Sequence, residues 1–416
     1  MTATKVSVMT VTHPKLILFT VCLIALMSTA GVAMPYPILA PVFVDMAPDG
    51  FNHFMGLPPK LLLGVALAVN PTGILLGSLF IGSLSDRLGR KTVLLTTLAL
   101  TLLGYVLTAY ALWSRNYPLF VLSRFATGLT EGNVAVARAI VADLHPQLDR
   151  TRSFALLNAV LYTGWLVGPL VGGLTLPLGE PVPFALAAVS LLPCLVILTV
   201  FLPETGERLH ADRSLLAVVR EKNAFRLLGK DPMLARLFWM QLAFAMGVNA
   251  FYEFYPLWLV EFARQDSRGI ALVTAGLCLM MTGASIWVGK WFADKPHLPV
   301  ARTQALVFSA GLFLLCLLPG KQGVWLIMVL GLPLSIYNTL LPVWCSERFD
   351  HLGQGGVMGL LSTVFCLSNV AIALLGSVLT LLDTRLVLLL GACTCLLASV
   401  RLQALIRLTT RQGGGA

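Results

Sequence analysis

Charge is the scarcest commodity in this sequence. Only 12% of its 416 residues are Asp, Glu, Lys or Arg, roughly half the share in a soluble domain, while 57% are hydrophobic. Too little polar surface is left to cover a globule of this length. Soluble enzymes, nucleic-acid binders and secreted disulfide scaffolds are therefore excluded. Catalytic signatures are missing as well. There is no Walker glycine loop, which speaks against an ATP-driven pump, no HExxH and no Gly-x-Ser-x-Gly. The histidines, His13, His53, His145, His210, His297 and His351, are scattered over loops and segment ends without metal-ligand spacing. Cys22, Cys194, Cys278, Cys316, Cys345, Cys366, Cys393 and Cys395 fall in or beside apolar stretches and form no CxxC pair, so they read as packing residues. No cofactor, no metal and no enzymatic activity is expected.

What the chain has instead is long apolar sequence. Blocks run near 16–40, 61–82, 92–112, 118–143, 153–176, 183–202, 234–260, 270–292, 302–319, 323–345, 355–380 and 386–406. Each is long enough to cross about 30 Å of hydrocarbon at about 1.5 Å per residue. The short alternating segments of a β-barrel are absent. The fold class predicted is an all-α membrane protein of twelve transmembrane helices. The first block follows Lys5 and Lys15 as a signal peptide would, but runs on through Pro35, Tyr36 and Pro37 without a small-residue cleavage site, so it reads as a retained helix.

The net charge of +10 is explained by orientation rather than by nucleic acid. With twelve crossings the loops form two sets. One, on the side of the termini, holds Arg87, Arg90, Lys91, Arg150, Arg152, Lys290, Lys295, Arg348 and the run from Arg208 to Arg236. The other holds only Lys60, Arg115, Arg264, Arg268, Lys321 and Arg385. The positive-inside bias places both termini in the cytoplasm. The expected location is the plasma membrane, as a multi-pass protein of a bacterial inner membrane, and the chain is expected to act as a monomer in the bilayer. The longest polar interval reads as a mixed-charge linker over 204–232, between bundles at 1–203 and 233–416. Phe154-Ala-Leu-Leu-Asn-Ala-Val and Gly359-Leu-Leu-Ser-Thr-Val-Phe form a weak repeat between the halves, as do Gly128-Leu-Thr and Gly331-Leu-Pro. Two pseudo-symmetric six-helix bundles put a site between them near the midplane.

The loop after the second block reads Gly82-Ser-Leu-Ser-Asp86-Arg87-Leu-Gly89-Arg90-Lys91. Glycines permit a tight turn and close approach, Asp86 suits a helix N-terminus, and Arg90 can reach an acid on another helix. A basic turn anchoring the next helix to headgroups fits the spacing equally well. The run resembles the signature of the major facilitator superfamily, with every signature position filled. That resemblance implies a conformational latch, with Asp86 reaching the start of the eleventh helix and Arg90 reaching Asp143. In the fifth block, Gly164, Gly168 and Gly172 recur every four residues beside Pro169 and Gly173. Small residues at this spacing let helices pack backbone to backbone. The run also resembles the fifth-helix motif of the drug/proton antiporter branch, which includes tetracycline and multidrug exporters.

The fourth block carries Arg124, Glu131 and Arg138 at intervals of seven, which on one continuous helix is a single stripe. Each charge at membrane depth costs on the order of 3 kcal/mol, so the stripe should face a wet cavity or pair internally. Two bland readings stand beside this: Glu131 neutralises the arginines, or the arginines snorkel to the interfaces. Arg124 matches an arginine that the resemblance links to proton coupling. Glu131 departs from the branch and is a candidate proton carrier. Glu253 is a second buried acid, on a face with Gln241, Asn249 and Tyr252; the alternative puts it in an interface beside Glu261. The branch often carries an acid in its first helix, and here that helix has none before Asp45. The proton-coupling set is thus Glu131, Glu253 and Arg124. The cavity candidates are Arg138, Asn158, Tyr162, Trp165, Tyr36, Asn70, Gln241, Asn249, Tyr252, Tyr337, Asn338 and Asn369, though each alone also suits an interhelical hydrogen bond or an interface aromatic. The functional expectation is a secondary transporter exchanging a small organic molecule for protons. One alternative is export of an anionic or zwitterionic metabolite such as a carboxylate-type siderophore. A second is a receptor or scaffold that moves nothing.

Overall fold

The computed structural model describes residues 13–131, 133–144, 147–148, 150–204, 228–229, 231–291, 296–349 and 354–413. Among these the regular structure is helical throughout. The spans are Pro14–Asp45, Pro59–Leu88, Arg90–Trp113, Tyr117–Thr130 with Asn133–Asp143, Arg150–Thr175 and Val182–Phe201 in the first half. Pro232–Ala263, Ser267–Trp291, His297–Leu317, Gly320–Val329 with Gly331–Arg348, Gln354–Leu379 and Thr384–Gly413 follow in the second. Ten of them are long and apolar enough to cross a bilayer; the exceptions are the fourth, broken and charged, and the eleventh, whose apolar stretch is Thr363–Leu379. Helices form here because lipid offers no water to backbone groups, which must bond within their own segment.

The ends of the spans have local causes. Pro14, Pro59, Pro118, Pro183 and Pro232 occupy first turns, where a missing N–H costs nothing. Asp231 caps the seventh span, its Oδ1 accepting from the amides of Met233 at 2.7 Å and Leu234 at 3.3 Å. A single residue, Gly89 at φ +100°, turns the chain between the second and third spans, and a Cβ there would also strike the Glu204 carboxylate. The fourth span is not continuous: helix ends at Thr130 and resumes at Asn133. The seven-residue stripe expected of Arg124, Glu131 and Arg138 therefore does not form. Arg124 and Glu131 are buried, while Arg138 comes out exposed.

Packing reveals a two-fold plan. In the first half the first span packs on the fifth and sixth, the second on the fourth, and the third on the fourth and sixth. In the second half the seventh packs on the eleventh and twelfth, the eighth on the tenth, and the ninth on the tenth and twelfth. Adding six to each number of the first set gives the second. The halves join along the second and eleventh spans and along the fifth and eighth, which are the same contact under that symmetry, and the end of the first span rests on the seventh and eighth.

The glycine motif of the fifth span serves both kinds of joint. A Cβ on Gly168 would meet the Ala30 carbonyl, with Ala30 C and Cα both at 3.0 Å, so the first and fifth spans touch backbone to backbone. A Cβ on Gly173 would lie 2.5 Å from Ala271 Cβ, so this residue seats the fifth span on the eighth across the halves. At the face opposite the termini, Lys60 pairs with Glu261 at 2.6 Å and donates to the Thr380 carbonyl at 2.8 Å, tying the second, seventh and eleventh spans together. On the terminal face, the fourth span shares no extended packing with the tenth or eleventh among the described residues. The halves are thus closed together at the far face.

Candidate functional site

Glu131 ends the first piece of the fourth span and turns its carboxylate into the first bundle, where it is 4% exposed. Tyr105 of the third span donates its hydroxyl to Oε1 at 2.6 Å, and Asn70 of the second donates its amide to Oε2 at 2.7 Å. The same face of the third span continues the pattern. Thr101 meets Thr130 at 2.8 Å, and Thr97 donates to Asn133 Oδ1 at 2.5 Å. Thr97, Thr101 and Tyr105 are spaced by four and so share one face. Both sides of the helix break are held to this ladder, and the buried carboxylate has the donors its burial demands.

Arg124 lies two turns before Glu131 and is 3% exposed. Its Nε and Nη1 have no hydrogen-bond partner, and it enters no ion pair among the described residues. The guanidinium carbon sits 5.6 Å from the centre of the Phe184 ring, a cation–π contact. Arg124, Asn70 and Tyr36 line a cavity of about 20 Å³ together with Val32, Pro35 and Leu39. That is room for a water molecule. The Asn70 amide nitrogen is also 3.3 Å from the Arg124 carbonyl oxygen.

Glu253, on the seventh span, is 3% exposed, and neither carboxyl oxygen has a partner. Around it the second half supplies amides. Asn249 donates to Ser368 Oγ at 2.7 Å and to the Phe365 carbonyl at 3.2 Å, and Asn369 donates to Asn249 Oδ1 at 3.4 Å. Tyr36 joins the two halves of the site. It lies beside Asn369, within electrostatic reach of both Glu253 and Arg124, and its ring packs tilted on Trp165 with centroids 5.6 Å apart. Tyr36, Asn70, Arg124, Trp165, Asn249, Glu253 and Asn369 thus converge at the junction, with Glu131 behind the wall.

Other candidates fall elsewhere. Tyr337 donates to Gln241 Oε1 at 2.8 Å and stacks on Phe244, sealed inside the second bundle. Tyr252 meets Met281 Sδ at 3.3 Å. Asn338 and Arg138 are exposed. Asn158 and Tyr162 lie outside the described side chains, as do Gly82, Asp86 and Arg87 of the loop motif. Of that motif the described part is compact: Arg90 Nε is 3.2 Å from Asp143 Oδ2, Arg90 Nη1 is 2.7 Å from Ser85 Oγ, and the Lys91 amide donates to Glu204 Oε1 at 3.2 Å.

A sequence profile described as Major Facilitator Superfamily matches residues 16–370. The chain belongs to the Major Facilitator Superfamily. Members of that family are membrane transporters, not enzymes. Among its relatives is the tetracycline resistance protein, class H, of Pasteurella multocida, 29% identical over 192 residues, which are 45% of this chain and 44% of that one. The alignment thus spans less than half of that relative. The class E protein of Escherichia coli is 27% identical over 354 residues, covering 82% of this chain and 81% of its own. In structure the chain resembles a D-xylose–proton symporter with a TM-score of 0.75 at 17% identity, over 93% of this chain and 96% of that one, a likeness of fold. Within this superfamily fold, sequence reasoning missed Tyr105, Lys60 and the acid at Glu204. A tyrosine spaced by four from two threonines was the one available signal for the first.

Proposed function

We propose that this superfamily member is a proton-coupled antiporter that exports a small organic molecule by alternating access. The observation that carries the reading is Glu253: a fully buried carboxyl without a single partner, set where the two halves meet. An unpaired ion there costs several kcal/mol, so the group suits the carriage of a proton between two faces. Arg124 opens on the cavity with two guanidinium nitrogens free to bind, and Glu131 is the second acid available for coupling. The clasp of Lys60, Glu261 and Thr380 supports a far-side-closed arrangement. The positive-inside bias puts the opposite, terminal face in the cytoplasm. The names of two relatives, both tetracycline resistance proteins, support export as the direction. The energetics suffice: one proton crossing about 150 mV releases roughly 3.5 kcal/mol, enough to hold a gradient of a few hundredfold.

The test is tetracycline uptake by inside-out membrane vesicles from cells making the protein. Accumulation against the gradient, collapsed by a protonophore and absent with Glu253→Gln, is expected. Accumulation indifferent to the protonophore would refute proton coupling. The unpartnered Arg124 also favours a second reading, in which the cargo is anionic or zwitterionic, such as a carboxylate-type siderophore. Cells lacking the protein would then retain that compound.

A further inference from the structure

Two side chains hold the carboxylate of Glu131, one of them from the cavity wall. Asn70 lines the cavity, and its amide nitrogen serves both Glu131 Oε2 at 2.7 Å and the Arg124 carbonyl at 3.3 Å. One residue thus touches the cavity wall, the backbone beneath the guanidinium and the acid behind them. Tyr105 reaches the other carboxylate oxygen from the third span, and no part of it is exposed. Its ring runs against Gly31 of the first span, where a Cβ would lie 2.8 Å and 2.9 Å from two ring carbons. Packing alone does not explain the residue. Phenylalanine would fill the same space without a buried hydroxyl to satisfy.

We propose that Tyr105 and Asn70 are positioning residues for Glu131, and that Asn70 transmits occupancy of the Arg124 cavity to that carboxylate. The inference rests on Glu131 being a coupling group. Both amide hydrogens of Asn70 are engaged on its protein partners, so a substrate acceptor in the cavity can gain one only if Asn70 turns. That turn strips a donor from Glu131. In the other direction, a proton on Glu131 replaces an acceptor site by a donor, which leaves Tyr105 and Asn70 competing for the acceptor capacity that remains. Either event moves the same amide, which couples the proton to the cargo without direct contact between them.

The test uses the full protein in liposomes with tetracycline as probe, comparing uphill export driven by a pH gradient with downhill exchange. For Tyr105→Phe, which keeps the ring beside Gly31, uphill export should fall by about tenfold, the scale of one hydrogen bond to a charged group. Downhill exchange should stay within about twofold. The infrared carboxyl band that vanishes in Glu131→Gln should change frequency in Tyr105→Phe. Asn70→Ala should raise KM as well as uncouple, and Asn70→Gln, which retains an amide donor, should recover part of the coupling. Uphill and downhill rates of Tyr105→Phe falling together would reduce the residue to a structural one and overturn the proposal. So would unchanged uphill export in that variant while Glu131→Gln is uncoupled. Full uphill export in Glu131→Gln itself would instead remove the coupling role of that acid.

Discussion

Alanine at position 168 tests the backbone-to-backbone joint between the first and fifth spans. The added Cβ would sit inside contact distance of the Ala30 carbonyl, and 3.0 Å from both Ala30 C and Cα. Comfortable carbon–carbon separation is about 3.5–4.0 Å, so the spans must part by roughly 0.5–1 Å. The obstacle is backbone on both sides and cannot swing away as a side chain would. Overpacking of this kind costs about 1–3 kcal/mol. Exchanging glycine for alanine within a helix returns up to about 1 kcal/mol. The net expectation for Gly168→Ala is a loss of about 1–2 kcal/mol. Gly283 provides the control, because a Cβ there meets nothing within 4 Å. Gly283→Ala should therefore be neutral or stabilising. Purified variants would be heated in detergent and the monodisperse fraction followed by size-exclusion chromatography. The two alanines should move the midpoint in opposite directions. A Gly168→Ala protein as resistant as Gly283→Ala would refute the close-packed joint.

Other outcomes follow from named contacts. Lys60→Glu should loosen the far-face clasp and raise labelling of a cysteine placed at Ser377, and the double exchange with Glu261→Lys should restore protection; a partly exposed pair contributes only about 1 kcal/mol, so populations shift rather than switch. Tyr337→Phe should cost about 1 kcal/mol of stability through its lost bond to Gln241 and leave tetracycline KM unchanged, because it lies away from the junction. Asp231→Ala should cost about 1 kcal/mol by uncapping the seventh span, read as a lower thermal midpoint with transport per folded molecule unaltered.

The spans were legible because a bilayer enforces them: apolar length is the one pattern lipid accepts, and most boundaries fall close to those expected, the ends at Asp45, Leu88 and Gly413 running further because the helices continue past their apolar stretch. Glycine spacing in the fifth span was legible for a similar reason, since only small residues permit contacts like that of Gly168 on Ala30. The junction was legible in part. Arg124, Glu131 and Glu253 stood out because charge is expensive in lipid, but their partners did not. Tyr105 looks like any aromatic in an apolar helix until Gly31 and Glu131 are placed around it. The stripe through Arg138 presupposed an unbroken helix; the helix instead stops at Thr130, and bonds from Thr97, Thr101 and Asn70 meet Asn133, Thr130 and Glu131 on its two sides, partners that sequence spacing does not reveal. Lys60 and Glu261 sit in different halves, so only the folded chain makes them a pair.

The most direct test of the central claim is proton movement itself. The purified protein would be sealed in liposomes with a pH-sensitive dye inside, and a tetracycline gradient imposed with no initial pH difference. Protons moving opposite to the drug, and no pH signal from Glu253→Gln liposomes, is the result expected of an exchanger. Drug moving down its gradient while the dye stays silent in the unaltered protein would contradict it.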